Sequence, residues 1–273
     1  RPVMNGIDFL KMHGLGNDFV ILDARARDIP LDAQAIRHIA DRHVGVGCDQ
    51  LIRLEPSDRA DVFMRIFNPD GSEAEACGNA TRCVARLLMG EEANDRIAIE
   101  TVAGLLEARE NEGIVTVDMG PAHTGWQDIP LAREADTLSV DLGAEVPAAC
   151  VSMGNPHAVL FVENCDAIDL AAEGARLEHH PMFPRRANIS FVTVEGPNRL
   201  RARVWERSAG ATLACGSAAC AIIVSAVRRE LTGRSATVAL PGGELSMTWR
   251  EDGHVLMAGP TALSYRGTLP PVA

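Results

Sequence analysis

Two stretches of this chain follow one plan. Phe67 to Met89 (FNPDGSEAEACGNATRCVARLLM) and Val204 to Val227 (VWERSAGATLACGSAACAIIVSAV) each run from an extended apolar lead-in through a polar turn to Ala-Cys-Gly. A small polar residue, Asn79 or Ser217, and an apolar helix-like run follow. Cys77 and Cys215 lie 215 − 77 = 138 positions apart, and the same offset carries Gly16-Asn17 onto Gly154-Asn155, Gln50 onto Asn188 and Asn68 onto Glu206. Constant register over weak identity marks an internal duplication. So long a period is no solenoid repeat; it predicts two similar domains, and 273 residues give each room for its own core.

The segment after Cys77 places Ala80, Val84, Leu87 and Leu88 on one side, with Gly90 as a stop, and the segment from Ala218 to Val227 is apolar almost without a break. A helix apolar all round must be buried all round. The expected fold is therefore α/β (α+β): two pseudo-symmetric domains, each a mixed, mostly antiparallel sheet curled around a central helix that begins at a cysteine. Strands are expected at Ile7 to Met12, Phe19 to Leu22, from Asp49-Gln50 onward, and at Val62 to Phe67, Arg96 to Thr101, Leu105 to Glu110 and Ile114 to Met119. The second half repeats them near Leu138 to Asp141, Ala148 to Met153, Ala158 to Val162, Ile189 to Glu195 and Arg199 to Glu206. Helical spacing marks Leu31 to Arg42 and Ala167 to Leu177; His13 to Asp18 reads as a loop, and hairpins around 241–243 and 251–253 close the second half. Gly120-Pro121 gives the boundary: residues 1–121 with Cys77, residues 122–261 with Cys215, and a tail, 262–273, returning to the first domain.

A net charge of −11 with 4% aromatic residues offers neither a basic face nor stacking rings, so nucleic acid is excluded as a partner. No apolar run is long enough to cross a bilayer, and no secretory leader precedes Met4, where Arg1-Pro2-Val3 reads as a remnant ahead of the natural start. Seven scattered cysteines do not make a disulfide framework, and a reducing cytoplasm fits them. Lys11 is the one lysine and sits in a strand-like run, which argues against a pyridoxal Schiff base; no cofactor is expected.

A thiol at a helix N-terminus is acidified by the unpaired N–H groups and the helix dipole, and the same groups bind anions. Two such ends can hold a carboxylate with one sulfur on each face of the carbon beside it. Inverting a stereocentre needs that arrangement, a thiolate to remove a proton from one face and a thiol to return one to the other. Backbone N–H groups near Gly78, Asn79, Gly216 and Ser217 can stabilise the carbanion's charge on the carboxylate. Cys83, Cys150, Cys165 and Cys220 read as buried apolar residues. No C-x-x-C spacing supports a metal or a redox dithiol, although the two key sulfurs could join as a disulfide. His157 can be a second base, an orienter of a substrate amine, or a structural histidine. Glu206-Arg207 can be a surface ion pair or part of the site, and His179-His180 with Arg185-Arg186 read as a solvated loop.

The segments HGLGNDF (13–19), GVGCDQ (45–50), FNPDGSEAEACGN (67–79), GNPH (154–157), RAN (186–188) and ER…GATLACGS (206–217) resemble, in order and spacing, the signatures of the diaminopimelate epimerases across nearly the whole chain. The resemblance implies cofactor-independent conversion of LL-2,6-diaminopimelate to the meso isomer, on the route to lysine and peptidoglycan, with Cys77 and Cys215 as the acid/base pair. It further implies that Asn17, Gln50, Asn68, Asn155, Asn188, Glu206 and Arg207 bind substrate, that Gly78, Asn79, Gly216 and Ser217 hold the reacting carboxylate, and that the protein is a homodimer. Ala80 and Ala218 stand where glycine is usual and Ser208 where it is frequent; Ala211 stands where glutamate is common, which puts that carboxylate's role in doubt here. The competing readings are a related cofactor-independent racemase of another amino acid, such as histidine or proline, and a non-catalytic binding protein or thiol redox sensor.

Overall fold

The computed structural model describes residues 6–270, so the reading of residues 1–4 lies outside the described residues. The chain divides into two compact units, Arg1–Val117 with Pro260–Ala273, and Asp118–Gly259. The first contains β1 (Ile7–Gly14), β2 (Asn17–Asp23), α1 (Ala33–Ala40), β3 (Gln50–Glu55), β4 (Val62–Phe67), β5 (Glu73–Ala74), α2 (Gly78–Glu92), β6 (Arg96–Thr101) and β7 (Gly104–Asn111). Strand β8 (Ile114–Pro121) runs through the boundary. The second contains β9 (Ala149–Ser152), β10 (Pro156–Phe161), α3 (Leu170–Glu178), β11 (Asn188–Gly196), β12 (Arg199–Glu206), β13 (Gly210–Thr212), α4 (Gly216–Arg228), β14 (Ser235–Leu240), β15 (Gly243–Trp249) and β16 (His254–Gly259). The last strand, β17 (Ala262–Leu269), pairs antiparallel with β1.

Strand pairing is mixed in the same way in both units. β2 pairs parallel with β3 and β4 with β6, while β1–β2, β3–β4, β4–β5 and β6–β7 are antiparallel. In the second unit β10–β11 and β12–β14 are parallel, and β9–β10, β11–β12, β12–β13 and β14–β15 are antiparallel. Parallel neighbours need a long crossover, which a helix fills. Hence α2 lies on the connection from β4 to β6, and α4 on that from β12 to β14.

The duplication holds at the level of single residue pairs. Phe19 faces Gln50 and His157 faces Asn188; Leu51 faces Phe67 and Ile189 faces Trp205; Ile66 faces Ala74 and Val204 faces Thr212. Every one of those pairs is related by 138. Beyond the helices the offset becomes 139: Arg96 faces Arg109 as Ser235 faces Thr248.

Each crossover helix is buried over most of its surface. In α2 Gly78 to Ala85, Leu88 and Met89 are buried, and in α4 Gly216 and Ala218 to Ala226. Removing an Ile or Val side chain such as Ile222, Ile223 or Val224 from water contributes about 1.5–3 kcal/mol. The surrounding strands present the complementary faces: Phe19 to Leu22, buried residue after residue, is the continuous apolar run of a strand covered on both sides.

Three local expectations are corrected. The segment 13–18 is no open loop: β1 and β2 meet in a two-residue turn with Leu15 at φ 56° and Gly16 at φ 82°, the left-handed pair that hairpin twist demands. Helix α2 passes through Gly90 and ends where Ala93 turns left-handed at φ 52°. Residues 138–141 form only an isolated bridge, Val140 to Ala148, and the segment expected as one helix from Ala167 is a 3-10 turn at Cys165–Ala167 followed by α3.

Candidate active site

Cys77 is the N-cap of α2 in extended conformation (φ −152°, ψ 112°), so the chain reverses there and the first N–H groups of the helix, at Gly78 and Asn79, come next. Its sulfur lies 3.9 Å from Asn17 Oδ1, and the same oxygen accepts from Asn79 Nδ2 at 3.0 Å. Asn17 Nδ2 donates to Asp49 Oδ2 at 2.9 Å, while Arg42 Nη2 donates to Asp49 Oδ1 at 2.9 Å. Arg42 also grips Asp18 through both oxygens, and Lys11 pairs with Asp18 at 2.7 Å. Burial of Asp18 works against its ionisation, but Arg42 and Lys11 outweigh it and hold the carboxyl well below the usual range. Beside this group Gln50 Nε2 donates to Asn68 Oδ1 at 3.1 Å, and Asn68 Nδ2 to Ser72 Oγ at 3.1 Å.

The second unit repeats the frame with different chemistry. Cys215 is the extended N-cap of α4 (φ −126°, ψ 112°), 7% exposed, with Sγ 3.6 Å from Ser217 Oγ. Asn155 Nδ2 donates to Ser217 Oγ at 3.3 Å, and Asn155 Oδ1 lies 2.8 Å from His157 Nε2. His157 is fully buried, and burial, reinforced by Arg207, pushes its pKa down to about 3. Burial thus keeps the imidazole neutral and weakly basic, which favours the orienting and structural readings of His157 over that of a second base. Asn188, also buried, donates to Pro156 O at 3.1 Å and accepts from the Arg207 N–H at 2.9 Å, so it braces the backbone at Arg207. Thr212 Oγ1 donates to Glu206 Oε1 at 2.7 Å, and Arg207 Nη1 donates to Arg185 O at 3.1 Å.

Thus in the first unit hydrogen bonds link Asn17 with Cys77 and Asn79, and Gln50 with Asn68; in the second they link Cys215, Ser217, Asn155 and His157, and Asn188 with Arg207, while Glu206 is held by Thr212. Sequence reasoning passed over Asp49, the anchor of Asn17, although it stands inside GVGCDQ. Its counterpart by the 138 offset is Ala187, so comparing the two halves hides it. Arg82, fully buried in α2, was also passed over; a Cβ on Gly14 would come within 2.9 Å of its Nη2, so the glycine makes room for the guanidinium. The stretch 179–186 is not merely solvated, because Arg186 pairs at 3.3 Å with the buried Glu178. Cys83 and Cys150 are buried and inert, their thiols pushed up to about 12 by burial. Among the described residues no group of three His, Cys, Asp or Glu is placed to hold a metal ion, and no helix is long and apolar enough to cross a membrane.

Set beside known proteins, residues 9–125 and 149–263 match the sequence model of the family described as diaminopimelate epimerase. The chain is 57% identical over 266 residues to the diaminopimelate epimerase of Rhodospirillum centenum, covering 96% of this chain and 91% of that one. It is 57% identical over 265 residues to that of Acidiphilium cryptum, covering 96% and 95%. Among solved structures, the Bacillus anthracis phenazine biosynthesis protein of the PhzF family superposes with a TM-score of 0.71 over 97% of this chain and 99% of that one. At 18% identity that likeness speaks for the fold alone.

Proposed function

The chain belongs to the diaminopimelate epimerase family, and from that premise we propose that it converts LL-2,6-diaminopimelate to meso-diaminopimelate by two-base proton transfer between Cys77 and Cys215. One sulfur, as thiolate, takes the α-proton from one face; the other, as thiol, delivers its proton to the opposite face. The Cα–H and S–H bonds broken are matched by those formed, and the pair ends with its proton moved from one sulfur to the other. Exchange with solvent resets it. The observation that carries this reading is the twofold occurrence of one device, a cysteine as the extended N-cap of a buried crossover helix.

The N–H groups of Gly78, Asn79, Gly216 and Ser217 bind the reacting carboxylate, because helix N-termini favour negative charge as it grows in the carbanion. Asn17, Gln50, Asn68, Asn155, Asn188, Glu206 and Arg207 recognise the rest of the substrate, whose second amino acid centre presents an ammonium and a carboxylate. Within that set Glu206 suits the ammonium and Arg207 the carboxylate. Asn188 contributes chiefly by holding Arg207, since both ends of its amide are engaged by the protein. Activity requires no cofactor, and the enzyme serves lysine and peptidoglycan precursor synthesis as a cytoplasmic homodimer.

Proton NMR of LL-diaminopimelate in D2O with reduced protein tests the reaction. Loss of the α-proton signal together with appearance of the meso isomer is expected. Exchange confined to other amino acids, histidine or proline among them, would move the chain to the racemase reading, and silence across such a panel would remove catalysis by this pair.

A further inference from the structure

Glu206 and Arg207 stand on a tight turn, closed by Ala209 N donating to Glu206 O at 3.1 Å. By the offset of 138 it answers to the turn at Asn68, closed by Gly71 N donating to Asn68 O at 2.9 Å. The two turns reach the left-handed region differently. In the first the left-handed residue is a glycine, Gly71 at φ 90°, to which that region is open. In the second it is Ser208 at φ 67°, and Arg186, two residues before Asn188, is left-handed as well, at φ 58°. Residues other than glycine persist there only where their surroundings over-determine them.

One side chain binds both. Glu178, the last residue of α3 and 4% exposed, accepts through Oε1 from Ser208 N at 3.0 Å and Arg186 Nη1 at 3.3 Å, and through Oε2 from Trp205 Nε1 at 2.8 Å. Burial works against its charge, but the hydrogen bonds from Trp205 and Ser208 outweigh it and hold the carboxyl below its ordinary value. The other central N–H of the turn, that of Arg207, is taken by the buried Asn188 Oδ1 at 2.9 Å. Buried side chains thus hold the turn at two successive residues. The first unit reaches its turn from the equivalent helix: Arg37 of α1 donates through Nη1 to Asp70 O at 3.0 Å, and Asp70 lies 138 positions before Ser208. Arg37 is exposed, a looser tie that suits a turn with glycine at its left-handed position.

We propose that Glu178 is a positioning residue that locks the turn at 206–209 in the conformation presenting Glu206 and Arg207, and so sets affinity for the substrate's second amino acid centre rather than the rate of proton transfer. This rests on the reading of Glu206 and Arg207 as substrate-binding groups. The position requires a carboxylate and not merely a polar side chain of that size. Both oxygens face N–H donors, and the NH2 of a glutamine would oppose one of them.

Ser208 is exposed, so its amide proton would exchange fast in an unclamped turn. NMR of the reduced, substrate-free wild-type chain is expected to find that exchange slowed by about tenfold or more against an unstructured peptide of the same sequence, the worth of one hydrogen bond to a charged acceptor. Exchange at the peptide's rate overturns the proposal without any variant. Glu178→Gln, compared with wild type where urea unfolding shows both to be native, is expected to raise KM for LL-diaminopimelate about tenfold and to change kcat by less than about twofold. Ser208→Gly in the Glu178→Gln background is expected to recover most of the loss, because glycine takes the left-handed conformation without a clamp. A Glu178 that served stability alone would lower the urea midpoint and leave KM unmoved. An unmoved KM, a loss carried by kcat, or a raised KM that Ser208→Gly does not repair each overturns the proposal. A wild-type chain that protects the Ser208 amide but exchanges no α-proton of LL-diaminopimelate defeats the reaction reading and leaves the clamp standing, whereas turnover with Ser208 unprotected defeats the clamp alone.

Discussion

His157 is buried without charge, and that has a consequence for acid stability. Its folded pKa, about 3, lies below the ordinary value of 6.5, so the unfolded chain binds the proton first as pH falls. The stability it contributes is complete above about pH 6.5 and is lost toward pH 3, with a slope approaching 1.4 kcal/mol per pH unit in between. His180, also lowered by burial, acts in the same sense, so the difference between wild type and His157→Gln isolates the first. Urea unfolding from pH 7 to 4.5 is expected to show a shallower loss in His157→Gln; equal slopes would contradict the buried neutral ring. Ser208 offers a second test. It holds φ at 67°, the left-handed region that favours glycine, so Ser208→Gly is expected to relieve up to about 1 kcal/mol, read as a higher urea midpoint at unchanged slope. The cysteines were legible in the sequence because the duplication repeats them. The hydrogen-bond chains behind them were not, because each half uses a different anchor: Asp49 has no counterpart at Ala187, and His157 answers to Phe19.

The helices were legible wherever their burial is nearly complete, as in α4, and misjudged at their ends. Gly90 looked like a stop, but glycine within a helix costs only about 1 kcal/mol against alanine, and α2 continues to Glu92. The short strands β5 and β13, two and three residues long, left no periodic trace, since their pairing is imposed by β4 and β12. One glycine inside a helix is a packing requirement. A Cβ on Gly174 of α3 would lie 2.5 Å from Trp205 Cγ of β12, and Trp205 cannot swing away freely because its Nε1 donates to the buried Glu178 at 2.8 Å. Alanine's helix propensity favours Gly174→Ala by about 1 kcal/mol, whereas overpacking against a fixed ring costs roughly 1–3 kcal/mol. The clash is expected to win, with a lower urea midpoint and a shifted tryptophan emission; a stabilised variant would mean that Trp205 yields.

Across the whole chain the duplication explains why one unit is discontinuous. His13 faces Ala262 on β17, and Ser152, 139 positions after His13, faces His123, which lies 139 positions before Ala262. The second unit thus receives the residue opposite its first strand from the connection that leads into it, whereas the first unit takes β17 from after the second. The contact between β1 and β17 is more than backbone pairing. Phe9 meets Tyr265 edge to face with ring centroids 6.0 Å apart, Gly267 lies so close beneath Phe9 that a Cβ there would fall 2.6 Å from the ring, and Thr268 Oγ1 donates to Asp8 at 2.7 Å. A chain ending at Pro260 would expose Ile7 and Phe9 and leave β1 with an open row of N–H and C=O groups. Uncovering Phe9 alone would cost about 1.5–3 kcal/mol. Hydrogen exchange read peptide by peptide is expected to show protection lost across β1 and β2, with residues 118–259 of the same molecule as the internal reference. Uniform loss along the chain would instead mean that the two units unfold as one, and unchanged protection of β1 would mean that β17 pairs with it without stabilising it.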